Sequence, residues 1–123
     1  MNKLILTGNI GNDAEVRQMD SGDSVINFSV ATTKKDKDNN NVTTWINCTK
    51  WVKKDASIKI ADYLRKGQTV LVEGEASTRS WIKDNKAYSS LECRVINIEL
   101  LGKKESSEPQ NNSNEEQDLG LPF

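Results

Sequence analysis

The chain predicts an all-β fold: a five-stranded barrel with one short helix between strands 3 and 4, followed by a disordered acidic C-terminal tail. Three observations predict it. Apolar residues alternate with polar ones over several stretches of strand length, including 25–33, 43–51 and 87–101. Clusters of Gly, Asp, Asn and Ser separate those stretches as turns do. One intervening stretch, Asp55–Arg65, changes to helical spacing.

The elements follow in order. Lys3–Ile10 reads as a strand with Leu4 and Leu6 on one face, and Gly8 and Gly11 flank a bend or bulge. Ala14–Met19 is a short extended piece that runs into the turn Asp20-Ser21-Gly22-Asp23. In Val25–Thr33 the series Ile26, Phe28, Val30 and Thr32 faces the core. Lys34–Asn41 has no apolar anchor and reads as a long polar hairpin loop. Thr43–Trp51 places Trp45, Asn47, Thr49 and Trp51 on one face and Ile46, Cys48 and Lys50 on the other. If Ile46 and Cys48 point inward, both tryptophans point outward.

Asp55 suits the cap of the helix, with Ile58, Ala61 and Leu64 recurring at a spacing of three, and Gly67 suits its left-handed end. Gln68–Glu75 returns to strand character, and Gly74 marks a bend. Ala76–Ile82 extends again, Lys83-Asp84-Asn85-Lys86 turns, and Ala87–Leu101 is the last strand. Its apolar series changes from Leu91, Cys93 and Val95 to Ile96, Ile98 and Leu100, so a bulge or twist near Val95 is expected. Five strands with a helix after the third is the order of an oligonucleotide-binding barrel, the OB-fold.

Charge divides the chain. Residues 1–104 carry 17 basic and 13 acidic side chains, a balance of +4, whereas residues 105–123 carry five acids and no base. The reading is therefore a domain over 1–104 and an acidic tail over 105–123. Ser, Glu, Gln and Asn dominate the tail, which buries too little to repay ordering, before the apolar tip Leu119-Gly120-Leu121-Pro122-Phe123. Neither a membrane-spanning run nor signal-peptide architecture is recognisable, so an intracellular site is expected. Cys48 and Cys93 read as buried free thiols. With no histidine and two separated cysteines, a Cys/His zinc site cannot be assembled, imidazole triads are unavailable, and the carboxylates are scattered. The chain is expected to be no enzyme, with no cofactor and no metal.

What the residues offer instead is a surface. Aromatic rings stack on any base with little discrimination, and cations neutralise phosphates. Trp45 and Trp51 lie roughly 20 Å apart along a strand, enough for different bases. In Thr78-Arg79-Ser80-Trp81 the alternation puts Arg79 beside Trp81, which combines phosphate pairing with stacking. Lys34, Lys35, Lys50, Lys53, Lys83 and Lys86 lie close by as candidate phosphate contacts. Two alternatives stand beside single-stranded DNA: an RNA-binding OB-fold protein, and a protein-interaction module that buries its aromatics in an interface.

The segments together resemble the bacterial and phage single-stranded DNA-binding (SSB) family. The matching pieces are Asn2-Lys3-Leu4-Ile5-Leu6-Thr7-Gly8-Asn9-Ile10-Gly11, Glu15-Val16-Arg17, Ala31-Thr32 and Thr44-Trp45. They continue with Asp62-Tyr63-Leu64-Arg65-Lys66-Gly67, Val72-Glu73-Gly74, Thr78-Arg79-Ser80-Trp81 and the terminal Leu121-Pro122-Phe123. The resemblance implies base stacking at Trp45, Trp51 and Trp81, and a homotetramer, with a dimer as the alternative. It implies sequence-independent coating of single strands in replication, recombination and repair. The tip Asp118, Leu121, Pro122 and Phe123 is implied to dock on partner enzymes, and the location to be the bacterial cytoplasm or nucleoid, or the host cytoplasm for a phage protein. Two departures stand out. Lys34-Lys35-Asp36 follows Ala31-Thr32-Thr33 where the family often has an aromatic, and Ile46 stands where many members have histidine.

Overall fold

In the computed structural model, which describes residues 1–102, alternation of apolar and polar side chains organises the chain into one six-stranded sheet. The strands are β1 (Leu4–Ile10), β2 (Glu15–Gln18), β3 (Ser24–Lys35), β4 (Asn41–Val52), β5 (Thr69–Lys83) and β6 (Lys86–Leu101). Their order is β1-β5-β6-β4-β3-β2, with a further short pairing of β1 to β3. All pairings are antiparallel except β4 with β6. One layer of side chains fills the concave side: Ile26, Phe28 and Val30 from β3, Ile46, Cys48 and Val52 from β4, Val70 and Val72 from β5, Cys93 and Val95 from β6.

The expectation of a five-stranded barrel with a helix between strands 3 and 4 is corrected. Ala14–Met19 contains a true strand, since Glu15–Gln18 pairs with Asn27–Ser24 of β3, which makes six. No helix lies between the third and fourth strands; the helical turn falls between the fourth and fifth, and it is a 3₁₀ turn over Lys59–Tyr63. The spacing of Ile58, Ala61 and Leu64 is compatible with this, since three residues is the repeat of a 3₁₀ helix. The bonds Ala61 N–H to Ile58 O and Leu64 N–H to Ala61 O have that period. Asp55 caps nothing: Ile58 holds the N-cap position and makes no side-chain cap bond. Ala61 and Leu64 are nevertheless buried and anchor the connection to the core.

The strands form a sheet rather than a closed barrel. β1 pairs along β5 from Leu4 opposite Gly74 to Asn9 opposite Thr69, but meets β3 through Asn9 opposite Ala31 and Ile10 opposite Val30. At that point the backbone of Ile10 is engaged elsewhere: its N–H donates to Gln68 O at 2.9 Å and its carbonyl accepts from Gly67 N–H at 2.8 Å. Ile10 thus continues the β5 side of β1, while Gly11 N–H donates to Ser29 O at 3.0 Å on the β3 side. Gly67 supplies the left-handed backbone that this connection needs, at φ +92°.

Two long hairpins rise from the sheet. The polar loop expected over Lys34–Asn41 is shorter, because β3 runs to Lys35 and β4 starts at Asn41. Asp36 Oδ1 closes the tip by accepting from the N–H groups of Asp38 and Asn40, both at 2.9 Å. Gln68–Glu75 and Ala76–Ile82 join into the single strand β5, which turns into β6 at Asp84-Asn85. Both turn residues have positive φ, 53° and 64°, as a two-residue hairpin requires. The shift expected near Val95 is a bulge. Glu73 opposes Asn97 while Gly74 opposes Val95, leaving Ile96 unpaired and moving the core-facing series from Cys93 and Val95 to Ile98. Gly74 fits here because a Cβ would overlap the Arg94 carbonyl oxygen. Among the described residues no helix is long and apolar enough to cross a membrane.

Candidate nucleic-acid interface

Strand pairing sets the convex face row by row, since residues opposite one another on neighbouring strands share a face. Ala31 and Trp45 form one row, and Ser29, Asn47 and Glu92 the next. Glu15, Asn27, Thr49 and Arg94 follow, then Arg17, Val25 and Trp51. Trp45 and Trp51 are 55% and 53% exposed, whereas Ile46, Cys48 and Val52 on the other side of the same strand are buried. The two indoles therefore stand outside a strand that is fixed from behind. Polar side chains lie between them, with Thr49 Oγ1 donating to Asn27 Oδ1 at 3.1 Å.

Trp45 has a seat. Its ring lies so close to Gly11 that a Cβ there would overlap ring carbon Cζ3, and Gly11 N–H donates to Ser29 O at 3.0 Å. Gly11 thus keeps the backbone flat beneath the indole. Trp51 lies across from Val25, which is 4% exposed despite its place on the convex face.

The β5–β6 hairpin brings the third tryptophan. Trp81 is 37% exposed and stacks on Tyr88, its cross-strand partner, with centroids 5.8 Å apart and planes inclined by 18°. The Arg79 guanidinium carbon lies 4.6 Å from the centroid of the Trp81 ring. Arg79 Nε also donates to Glu92 Oε2 at 3.0 Å. An open groove of about 450 Å³ runs from the strip between Trp45 and Trp51, through Ser29, Asn47 and Thr49, to Arg79 and Glu92. Asp13 and Glu15 line the same groove, whereas Trp81 and Tyr88 line a separate hollow on the hairpin.

The cations divide. Lys35 alternates onto the Trp45 side of β3 and Lys34 onto the other side, both exposed. Lys50 shares its side of β4 with Ile46 and Cys48 rather than with the tryptophans, and Lys53 is exposed just beyond the strand. Lys83 and Lys86 face one another at the hairpin tip, two residues beyond Trp81 and Tyr88. Arg17 was absent from the candidates because β2 is too short for alternation to assign its partner; pairing with β3 puts it in the row of Trp51. Arg94 enters the Thr49 row but is paired with Glu75 at 2.9 Å. The terminal candidates Asp118, Leu121, Pro122 and Phe123, and the whole segment 105–123, lie outside the described residues.

Cys48 and Cys93 are opposite one another on β4 and β6, buried and unbridged. Burial pushes the Cys48 thiol up to about 12, reinforced by the adjacent Cys93, so it stays protonated and unreactive. Burial also raises Cys93, against the hydrogen bond with Cys48. Among the described residues no group of three or more His, Cys, Asp or Glu side chains is placed to hold a metal ion.

The chain is similar to known proteins along most of its length. Residues 1–101 match the model of the family described as Single-strand binding protein family. The chain is 39% identical over 113 residues to Single-stranded DNA-binding protein 1 of Chlorobaculum tepidum, across 86% of this chain and 68% of that protein. It is also similar to a solved structure described as Plasmodium falciparum SSB complex with ssDNA, with a TM-score of 0.68 and 27% identity, across 83% of this chain and 96% of that one.

Proposed function

The chain belongs to the Single-strand binding protein family, and from that premise we propose how its convex face takes hold of a strand. The protein binds single-stranded DNA independently of sequence and is not an enzyme. In the proposed mode, Trp45 and Trp51 stack on separate bases. The polar strip of Ser29, Asn47 and Thr49 passes beneath the strand, and Arg79 and Trp81 receive the next segment. Lys35, Lys53, Lys83 and Lys86 meet phosphates along the rim. Lys34 and Lys50 point away from the tryptophan rows and take the weaker, outlying contacts.

The observation that carries this reading is the groove that joins Ser29, Asn47 and Thr49, in the rows of the exposed Trp45 and Trp51, to Arg79, whose guanidinium lies over Trp81. Stacking of this kind contributes about 1–3 kcal/mol per base and does not depend on base identity. By mass action, coating stabilises the unpaired strand, and the protein serves replication, recombination and repair in that stoichiometric way. Residues 1–104 form the binding domain of this proposal. Residues 105–123 add an acidic segment whose tip, Asp118, Leu121, Pro122 and Phe123, recruits replication and repair enzymes through an apolar pocket with a basic rim. The assembly is a homotetramer, with a dimer as the alternative, acting in the cytoplasm.

Native mass measurement of the full chain, alone and with dT oligomers of increasing length, tests strand binding and subunit number together. Four subunits with a long oligomer bound is the expected species. Failure of long dT to form any complex at low salt would overturn the binding mode. Deletion of Leu121–Phe123 should leave dT affinity nearly unchanged and abolish recovery of partner enzymes; equal recovery with the shortened chain excludes the tip from that role.

A further inference from the structure

Phosphate capture and base stacking meet at one corner of the groove, where both functions are already occupied. Arg79 is the cation there, and Glu92 Oε2 accepts from its Nε at 3.0 Å. Ser90 Oγ lies 3.0 Å from the same oxygen and donates to it, which holds the carboxylate in place from β6. Trp81 is the ring, and the Arg79 guanidinium lies over it at 4.6 Å. In the free protein the carboxylate occupies the cation that a phosphate would use, and the guanidinium covers ring surface that a base would use.

The Arg79–Glu92 pair is a surface pair, with side chains 63% and 29% exposed. Pairs of this kind contribute little to folding. A carboxylate inside a groove that accepts a polyanion also repels it, as Asp13 and Glu15 in the same lining do, but Glu92 is the one whose oxygen holds Arg79. Its position therefore makes more sense as part of binding than as part of stability.

We propose that Glu92 is a positioning residue for strand binding: it holds Arg79 over Trp81 and yields the guanidinium to a strand phosphate, so that capture of the phosphate and uncovering of the indole occur in one exchange. This rests on the reading that the groove takes a strand. The exchange makes Trp81 a conditional platform, presented once a phosphate has taken Arg79. It also predicts a muted salt dependence at this corner, because Glu92 is left without its internal cation when the strand arrives and draws a counterion back.

The test is anisotropy of a labelled dT oligomer with the full chain over a series of salt concentrations. Glu92→Gln keeps the shape and removes the charge. It should bind about two- to fivefold tighter at low salt, the size of one exposed ion pair. The slope of log affinity on log salt should steepen by about 0.7, the share of one single-strand phosphate. Arg79→Ala should bind more weakly than wild type, and adding Glu92→Gln to Arg79→Ala should strengthen binding by clearly less than Glu92→Gln does alone, because only the repulsion of one carboxylate is then removed. Equal or weaker binding by Glu92→Gln overturns the proposal. So does strengthening that persists at full size without Arg79, since that is general repulsion. A Trp45→Ala, Trp51→Ala variant run alongside separates the two levels. If that variant binds like wild type, the reading of the groove fails and takes this inference with it. If it loses binding while Glu92→Gln stays at wild type, the exchange alone is wrong.

Discussion

Trp45 and Trp51 on β4 differ from Trp81 on the β5–β6 hairpin in what holds them still. The reverse face of β4 is core: Ile46, Cys48 and Val52 are buried, so the strand is fixed and its indoles stand free, more than half exposed. Beyond Thr78, whose partner Leu91 still packs on the core, the residues of β5 are all exposed, and Ile82 is 78% exposed. Order there comes from neighbours in the same pair of strands, Tyr88 stacked on the ring and Arg79 lying over it. A platform backed by buried side chains can leave its aromatic surface empty for a ligand. One at a hairpin tip spends part of that surface on its own rigidity.

The largest effect follows from this difference. Replacing both Trp45 and Trp51 by alanine should cost about 2–6 kcal/mol of dT affinity, at about 1–3 kcal/mol per stacked base. Replacing Trp81 alone should cost about 1 kcal/mol, the lower end of that range, because stacking there must first displace a partner. Titration of matched dT oligomers at one salt concentration measures both. A Trp81→Ala loss as large as the double variant's would break the comparison.

The next effect sharpens it. Gly11→Ala places a methyl group where Trp45 Cζ3 now lies, and the ring must leave its seat. The backbone at Gly11 is outside the positive-φ set, so the added methyl meets the indole and brings no backbone strain. Thermal stability should stay near wild type while dT affinity falls by about 1 kcal/mol, part of one stacking contribution. Unchanged affinity with a shifted melting temperature would show that Gly11 serves packing alone.

The outward placement of the β4 tryptophans was legible in the sequence, and the surroundings of Trp81 only half so. Alternation over Thr43–Trp51 is long enough to separate Ile46 and Cys48 from Trp45 and Trp51 without knowing any partner strand. The same reasoning joined Arg79 to Trp81. Tyr88 and Glu92 escaped because their roles depend on register. Counting outward from a two-residue turn at Asp84-Asn85 would have paired Lys83 with Lys86 and Trp81 with Tyr88. Reading that turn as four residues gave no register. The 3₁₀ turn escaped for a different reason: a three-residue spacing fits one turn of either helix type, and tertiary bonds from Leu64, Gly67 and Gln68 to the start of the sheet decide between them. Strand count failed at β2, where four exposed residues show no apolar alternation. Closure failed because the extent of pairing between β1 and β3, two residue pairs, cannot be seen in the pattern of either strand.

The smallest effect comes from the residue that only pairing reveals. Arg17 sits in the same row as Trp51, with Val25 between them. No ion pair to Arg17 is formed among the described residues, unlike Arg65, Arg79 and Arg94. A strand stacked on Trp51 would pass its phosphates near that guanidinium, at the edge of the sheet where solvent screens the attraction. Arg17→Ala should therefore cost about 0.2–1 kcal/mol of dT affinity at low salt and reduce the salt slope by about 0.7. Stability should be unchanged, since no described partner loses its charge. The slope is the sensitive readout: loss of affinity with the slope intact would mean that Arg17 supports Val25 and Trp51 by packing its aliphatic stem, and meets no phosphate.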